Sequence, residues 1–351
     1  MFYDRENEQK QILNVLKEKP SQIYFIYGPI NSGKTNLVNH IINGLSKDFV
    51  PFYINFRWRD VSDSGDFLNV LFNVDRKTKF QSSGQYINEI LKGGSEIFKM
   101  ATGIPIPVSL FEMLFKSNDK GEDAFKYLNE LFLSIVEKKQ KPLFVLDELQ
   151  IIKEIANSKG NLLLEKLFNF LVGMTKEKHL CHCIAMSSDS LFIEQVYGHA
   201  RLEGRSKYIL IDDLDKEKAF EVYEKFGFTD KDQVWETIGG KLGDMVSLKS
   251  DLTMGFEINK SLLKMLKGQI SRLKMIDGRL FNNDEKDCDD KMSFLFHVAE
   301  KKNLEYDSRT MTKKLQFWVD KNMLFLDPVE NIIKPQSQLI FRGIKALRKE
   351  V

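Results

Sequence analysis

Eight residues, Gly28-Pro29-Ile30-Asn31-Ser32-Gly33-Lys34-Thr35, constrain this chain more than any other stretch of it. They satisfy the pattern G-x-x-x-x-G-K-[ST], and they stand between a short β-rich apolar run (residues 22–27, QIYFIY) and a segment of helical periodicity (residues 35–45). Strand, glycine turn and helix in that order generate a concave run of backbone N–H groups at a helix amino terminus, which is a cradle for phosphate. In such a cradle Lys34 meets the β- and γ-phosphates of a nucleotide, and Thr35 ligates Mg²⁺.

Mg²⁺ at that position also needs a carboxylate, supplied from the carboxyl end of a neighbouring strand. The run PLFVLDE, residues 142–148, provides it: an apolar strand ending in Asp147, directed at the metal, and Glu148, directed at the attacking water. Ser187 and Ser188 end another apolar strand, where a hydroxyl would sense the γ-phosphate; a plain strand-end turn is the alternative. Arg201 and Arg205 lie just beyond, in RLEGR, and a guanidinium there would stabilise transition-state charge in cis or across a subunit boundary.

Around these motifs the sequence alternates. A helix is expected over residues 6–17, strands over 22–27, 50–56, 143–146, 183–186 and 209–211, and helices between them, which predicts an α/β fold: a P-loop NTPase with a mainly parallel sheet covered by helices on both faces. Residues 58–125 interrupt the pattern and read as an insertion carrying one or two helices, with Pro105 and Pro107 giving an extended lead into the second. Its apolar patch, residues 104–115, is either core or a partner surface. The first domain is therefore set at residues 1–211.

From residue 212 onward the pattern is helical. Asp215 is the expected N-cap of a helix through Lys225, and further helices over 233–238 and 244–276 make a lid-type domain, residues 212–276. The acidic residues 277–290 read as a turn-rich break. A third domain, residues 291–351, reads as helix (291–302), helix (308–321, capped by Asp307) and two strands (323–326, 332–334) joined by DPVEN, the order of a winged helix.

Composition narrows the function classes. Lys and Arg (52) nearly balance Asp and Glu (50), so no global charge argues for nucleic acid or membrane. Three cysteines, Cys181, Cys183 and Cys288, make no disulfide framework and point to a reducing, cytoplasmic compartment. Cys181-His182-Cys183 leads into a strand, where alternate residues face opposite ways, so a metal site is not expected there. No apolar run approaches the roughly 20 residues of a membrane span, and the amino terminus has no signal-peptide core.

Taken together the motifs resemble the archaeal ATPase family, a branch of the AAA+-like signal-transduction ATPases. The resemblance begins at Phe2-Tyr3-Asp4-Arg5-Glu6-Asn7-Glu8, which looks like the family's opening motif and implies that Tyr3 and Arg5 lie near the adenine. YGPINSGKT and VLDELQ follow in family order, Gly204-Arg205 looks like the later Gly-Arg pair, and the likeness implies that Gln150 relays nucleotide state. At Gly239-Gly240-Lys241-Leu242 the chain departs from the Gly-x-Pro that related ATPases carry, so no nucleotide contact from the helical domain is expected.

Two functions follow as expectations. The first is an ATP- and Mg²⁺-dependent ATPase acting as a conformational switch, with a nucleotide-dependent homo-oligomer if an arginine acts in trans. The second is an ATP-regulated DNA-binding protein, or one with a protein partner, working through residues 291–351; residues 260–351 hold 19 Lys/Arg against 13 Asp/Glu, and Arg309, Lys313 and Gln316 share an outer helix face. A small-molecule kinase is disfavoured, because no set of substrate-binding arginines accompanies the loop.

Overall fold

The computed structural model describes residues 5–58, 61–75, 85–86, 103–116, 120–154, 158–281, 285–307 and 311–350. In chain order the first part runs α1 (Glu6–Lys17), β1 (Ile23–Tyr27), α2 (Lys34–Gly44), β2 (Phe49–Asn55), α3 (Ser64–Leu71), β3 (Phe72–Asp75), β4 (Ile104–Pro107), α4 (Val108–Lys116) and α5 (Lys120–Glu137). It continues with β5 (Lys141–Asp147), α6 (Ser158–Val172), β6 (His182–Ser187), α7 (Ser190–Tyr197) and β7 (Ser206–Leu210).

Five of these strands form one sheet in the order β2-β5-β6-β1-β7, every pair parallel. The two-residue alternation of the strands feeds two separate cores. Phe25, Tyr27, Phe52, Phe144, Leu146 and Cys183 belong to the larger one, with Phe132 of α5 and Leu167 and Phe168 of α6. Ile26, Val145, Ile184 and Met186 face the other side, against Ile12 and Leu16 of α1 and Leu37, Val38 and Ile41 of α2. Burial on both faces explains why these strands read as continuous apolar runs. This is the P-loop NTPase architecture, an α/β fold with its parallel sheet flanked by helices.

Strand order corrects one expectation. The strand carrying Asp147 is not the neighbour of the strand before the glycine loop, because β6 lies between β1 and β5. The region read as an insertion holds α3, a parallel pair β3-β4 and α4. Pro105 and Pro107 sit in β4, immediately before α4, as the proline rule predicts. Ile104, Ile106 and Leu114 of its apolar patch are core, packed in the larger cluster, while Met113 is exposed.

Beyond β7 come α8 (Lys216–Phe226), α9 (Lys231–Ile238), α10 (Leu242–Thr253), α11 (Ile258–Phe281), α12 (Glu285–Lys301), β8 (Leu304–Glu305), α13 (Lys313–Asp320), β9 (Leu324–Asp327), β10 (Ile332–Pro335) and α14 (Gln338–Glu350). Asp215 caps α8 through the Lys218 amide, as expected. The turn-rich break at 277–290 is overturned: α11 runs to Phe281 and α12 begins at Glu285, because Leu273, Ile276, Met292 and Leu295 are buried in one core with Ile344 of α14. The helix expected from 308 with an Asp307 cap is instead α13, starting at Lys313 and capped by Thr312, whose hydroxyl accepts from the Leu315 amide; Arg309 lies outside the described residues. The hairpin stands, and β8 adds a third strand beside β10. Among the described residues no helix is long and apolar enough to cross a membrane.

Candidate functional site

The glycine loop leaves the sheet at Tyr27, the last residue of β1, and ends in the first turn of α2. Gly28 has φ +150° and touches the next strand connection so closely that a Cβ would stand 2.2 Å from the Ile211 carbonyl oxygen, so only glycine fits. Lys34 is 8% exposed; its ammonium donates to the carbonyls of Gly28 at 3.0 Å and Pro29 at 2.8 Å. Burial brings its pKa down to about 8 and the nearby charge of Lys241 adds to the effect, against the opposing pull of Glu148, Asp147 and Asp213.

Although β6 intervenes, the start of α2 leans far enough across it for Thr35 Oγ1 to donate to Asp147 Oδ2 at 3.0 Å. The same carboxylate oxygen accepts from Tyr53 Oη and from Asn55 Nδ2 at 3.3 Å, both on β2. Register explains this: Asn55 is paired with Asp147 and Tyr53 with Val145, so the two β2 side chains share the face of the Asp147 side chain. Burial raises the Asp147 carboxyl above the usual range, while the Tyr53 and Thr35 hydrogen bonds work against that rise.

Glu148 sits at φ +58°, in the left-handed region, and is held at both carboxylate oxygens. Arg57 Nη2 meets Oε1 at 2.8 Å and Gln150 Nε2 donates to Oε2 at 2.6 Å. Gln150 is itself held, its amide oxygen accepting from Ser187 Oγ at 2.8 Å. Ser187 and Ser188 therefore separate: Ser187 is buried and joined to Gln150, whereas Ser188 lines the cavity in front of the loop.

That cavity, about 420 Å³, is bounded by Ile30, Asn31, Lys34 and Thr35 of the loop and its helix, by Arg57, Glu148 and Ser188, and by Leu242, Gly243 and Val246 of α10. The last three bring the helical region to the edge of the cavity, although the sequence carries no Gly-x-Pro there. Gly240 lies so close to the hinge, the connection between β7 and α8, that a Cβ there would be 1.7 Å from the Leu214 carbonyl oxygen, and the Gly243 amide donates to the Asn31 carbonyl at 3.2 Å. The Gly-x-Pro motif is absent, but the segment that replaces it is keyed to the loop.

Arg5 is buried, its guanidinium bound to the Ser32 carbonyl at 2.9 Å, to the Asp212 carbonyl and to Glu8. It clamps the glycine loop to the hinge after β7; Tyr3 lies outside the described residues. Arg205 is corrected as a group acting in cis. It stands at the amino end of β7, its carbonyl accepting from the Ile23 amide, so the length of β1, about 16 Å for five residues, separates it from the loop. Its side chain bonds the Arg201 carbonyl and is exposed, and Arg201 pairs with Glu165 at 2.9 Å.

A hard cation is compatible with the donor set. Among the described residues no group of three or more His, Cys, Asp or Glu side chains could hold a metal ion. One hydroxyl and one buried carboxylate 3.0 Å apart, beside a phosphate cradle, fit Mg²⁺, which takes few protein ligands and draws the rest from water and phosphate. Cys181, His182 and Cys183 are all buried, and burial pushes His182 down to about 4, so they are packing residues.

Residues around the site that the sequence does not single out include Tyr53, Asn55, Arg57 and Lys241. For Tyr53 and Asn55 a signal existed, two polar side chains at alternate positions in the apolar strand 50–56, one ending opposite Asp147. Nothing in the local sequence pointed to Arg57 or Lys241.

Comparison with known proteins agrees with this geometry. Residues 2–248 match a family described as an ATPase domain predominantly from Archaea, and residues 259–347 match the C-terminal domain of MJ1010-like ATP-binding proteins. The chain is 38% identical over 383 aligned positions to the ATP-binding protein MJ0801 of Methanocaldococcus jannaschii, covering 99% of each. It is 34% identical to the ATP-binding protein PYRAB09480 of Pyrococcus abyssi, covering 99% of this chain and 98% of that one. The Walker-type ATPase PABY2304 of Pyrococcus abyssi superposes with a TM-score of 0.64 at 14% identity, over 98% of this chain and 96% of that one, a likeness of fold. Loop, acidic strand end and full-length kinship lead to one conclusion: the chain belongs to the family of ATPase domains found predominantly in Archaea.

Proposed function

We propose that this chain binds ATP with Mg²⁺ and hydrolyses it, using the cycle as a conformational switch among three domains, residues 1–211, 212–276 and 291–351. One observation carries the reading: Thr35, which lines a cavity together with Lys34 and Glu148, meets Asp147 at 3.0 Å. The loop from Gly28 to Gly33 and the Lys34 ammonium would bind the β- and γ-phosphates, with Arg5 and Tyr3 toward the nucleoside end. Thr35 and Asp147 would hold Mg²⁺, which when bound neutralises charge on the phosphates. Glu148 would orient the attacking water and accept its proton.

The hydrogen-bond chain Ser187–Gln150–Glu148 supports a switch rather than a static site. Ser188 lines the cavity and Ser187 is the next residue back, so a rearrangement there on nucleotide binding would alter how Gln150 holds Glu148. Arg205, remote from its own loop, is retained as a contribution across a subunit boundary in a nucleotide-dependent homo-oligomer, tested by the molecular mass with and without ATP. The DNA-reading alternative has less support: the β9–β10 hairpin that would serve as its wing packs Phe325 and Val329 into the nucleotide-domain core.

The decisive experiment compares Glu148→Gln with Lys34→Ala. Glu148→Gln is expected to bind ATP with near-normal affinity while turnover falls by about a hundredfold or more; Lys34→Ala is expected to lose tight binding. Undiminished phosphate release by Glu148→Gln would remove that residue from the reaction.

A further inference from the structure

The glycine loop has a rear face, and each of its carbonyls from Gly28 to Ser32 is engaged. Lys34 takes those of Gly28 and Pro29. The Gly243 amide takes that of Asn31, and Arg5 that of Ser32. The remaining one, Ile30, accepts from Lys241 Nζ at 2.9 Å. Lys241 comes from the connection between α9 and α10, is 5% exposed, and also pairs with Asp213 Oδ1 at 3.1 Å.

In a trans peptide the carbonyl and the following N–H point in opposite directions, and the described backbone contains no cis bond. Ile30 and Asn31 line the cavity, Lys241 is not part of that lining, and its ammonium holds the Ile30 carbonyl. The peptide joining Ile30 to Asn31 therefore gives its carbonyl to the ammonium and turns its N–H to the phosphate side. A cation on the carbonyl polarises the peptide and makes that N–H a stronger donor.

We propose that Lys241 is a positioning residue for phosphate, acting through the Ile30–Asn31 peptide from the rear of the loop and making the seating of α10 a condition of tight nucleotide binding. The inference rests on the ATP reading above. It goes beyond it by giving the helical domain a charged hold on the cradle that touches no part of the nucleotide. The same hold links the loop to the hinge, since Asp213 is bound by Lys241, and Asp212 by Arg5 through its carbonyl and by Lys334 of β10 through its carboxylate.

The test measures Mg-ATP affinity by isothermal titration calorimetry for the full chain, for Lys241→Met, for Lys241→Arg and for Lys241→Met/Asp213→Asn, with thermal melting in the absence of nucleotide as the control for folding. Lys241→Met is expected to weaken ATP binding by about tenfold or more, and Lys241→Arg to recover to within about threefold. The double variant also removes the carboxylate that Lys241 pairs with, so it is expected to fold and yet bind as weakly as the single one. Should Lys241→Met fail to fold, the double variant decides alone. ATP affinity within about twofold of the unaltered chain in either folded variant lacking the lysine overturns the inference, as does a double variant restored by the loss of Asp213. Absence of ATP binding by the unaltered chain would instead refute the nucleotide reading itself.

Discussion

Lys34 joins a residue the sequence marks to an environment it does not. Held near a pKa of about 8 by burial, its ammonium is partly discharged at mildly alkaline pH. A phosphate oxygen favours the charged form, so binding above that pH must take up a proton and apparent ATP affinity must fall, by up to about tenfold per pH unit while the complex stays protonated. Calorimetric titrations at pH 7 and pH 9, each in two buffers of different ionisation heat, measure the affinity and the proton uptake; equal affinities would place the charge elsewhere. Lys34, Thr35, Asp147 and Glu148 stand out in the sequence through motif spacing alone, and the structure brings them together: Lys34, Thr35 and Glu148 line one cavity and Asp147 bonds Thr35. Tyr53 and Asn55 owe their place to strand register, Arg57 to the end of a neighbouring strand, and Lys241 to a contact 211 residues away in the chain. No local pattern encodes a contact of that range.

Whole elements were legible where local signals and packing agree. Asp215 begins α8, Pro105 and Pro107 lead into α4, and the DPVEN turn joins β9 to β10, each through a conformational preference of the residues themselves. Where packing overrides composition the reading failed. The acidic stretch at 277–290 looks like a break, yet Leu273, Ile276, Met292 and Leu295 fix α11 and α12 against α14. Gly239-Gly240-Lys241-Leu242 was read for what it lacks, and its real constraint is contact. Gly240→Ala would drive a Cβ into the Leu214 carbonyl, so it is expected to cost about 3 kcal/mol or more and to weaken ATP binding together with stability. Thermal melting and calorimetry check both; a variant with an unaltered melting temperature would mean that the hinge yields.

At the scale of the molecule, the carboxyl-terminal hairpin is built into the nucleotide domain. Tyr27 Oη donates to Asp327 Oδ1 at 2.8 Å, Ser190 Oγ accepts from the Leu326 amide at 3.3 Å, and Tyr306 Oη donates to Glu194 at 3.0 Å. Burial and the Asp327 charge keep the Tyr27 phenol protonated far above its ordinary range. Tyr27→Phe takes one donor from a buried carboxylate and is expected to cost about 1–3 kcal/mol, with the hairpin released to protease earlier than the sheet. Limited proteolysis alongside thermal melting reads both effects, and unchanged digestion would mean that Phe325 and the remaining contacts hold the hairpin without this bond. The bond also has a consequence for the order in which the protein is made. Tyr27 and Asp327 are 300 residues apart, so on the ribosome the residue before the glycine loop waits for almost the whole chain before meeting its partner. Until then the slot for Phe325 stays open, so the sheet's larger core, though mostly synthesised first, cannot complete its packing before the hairpin emerges.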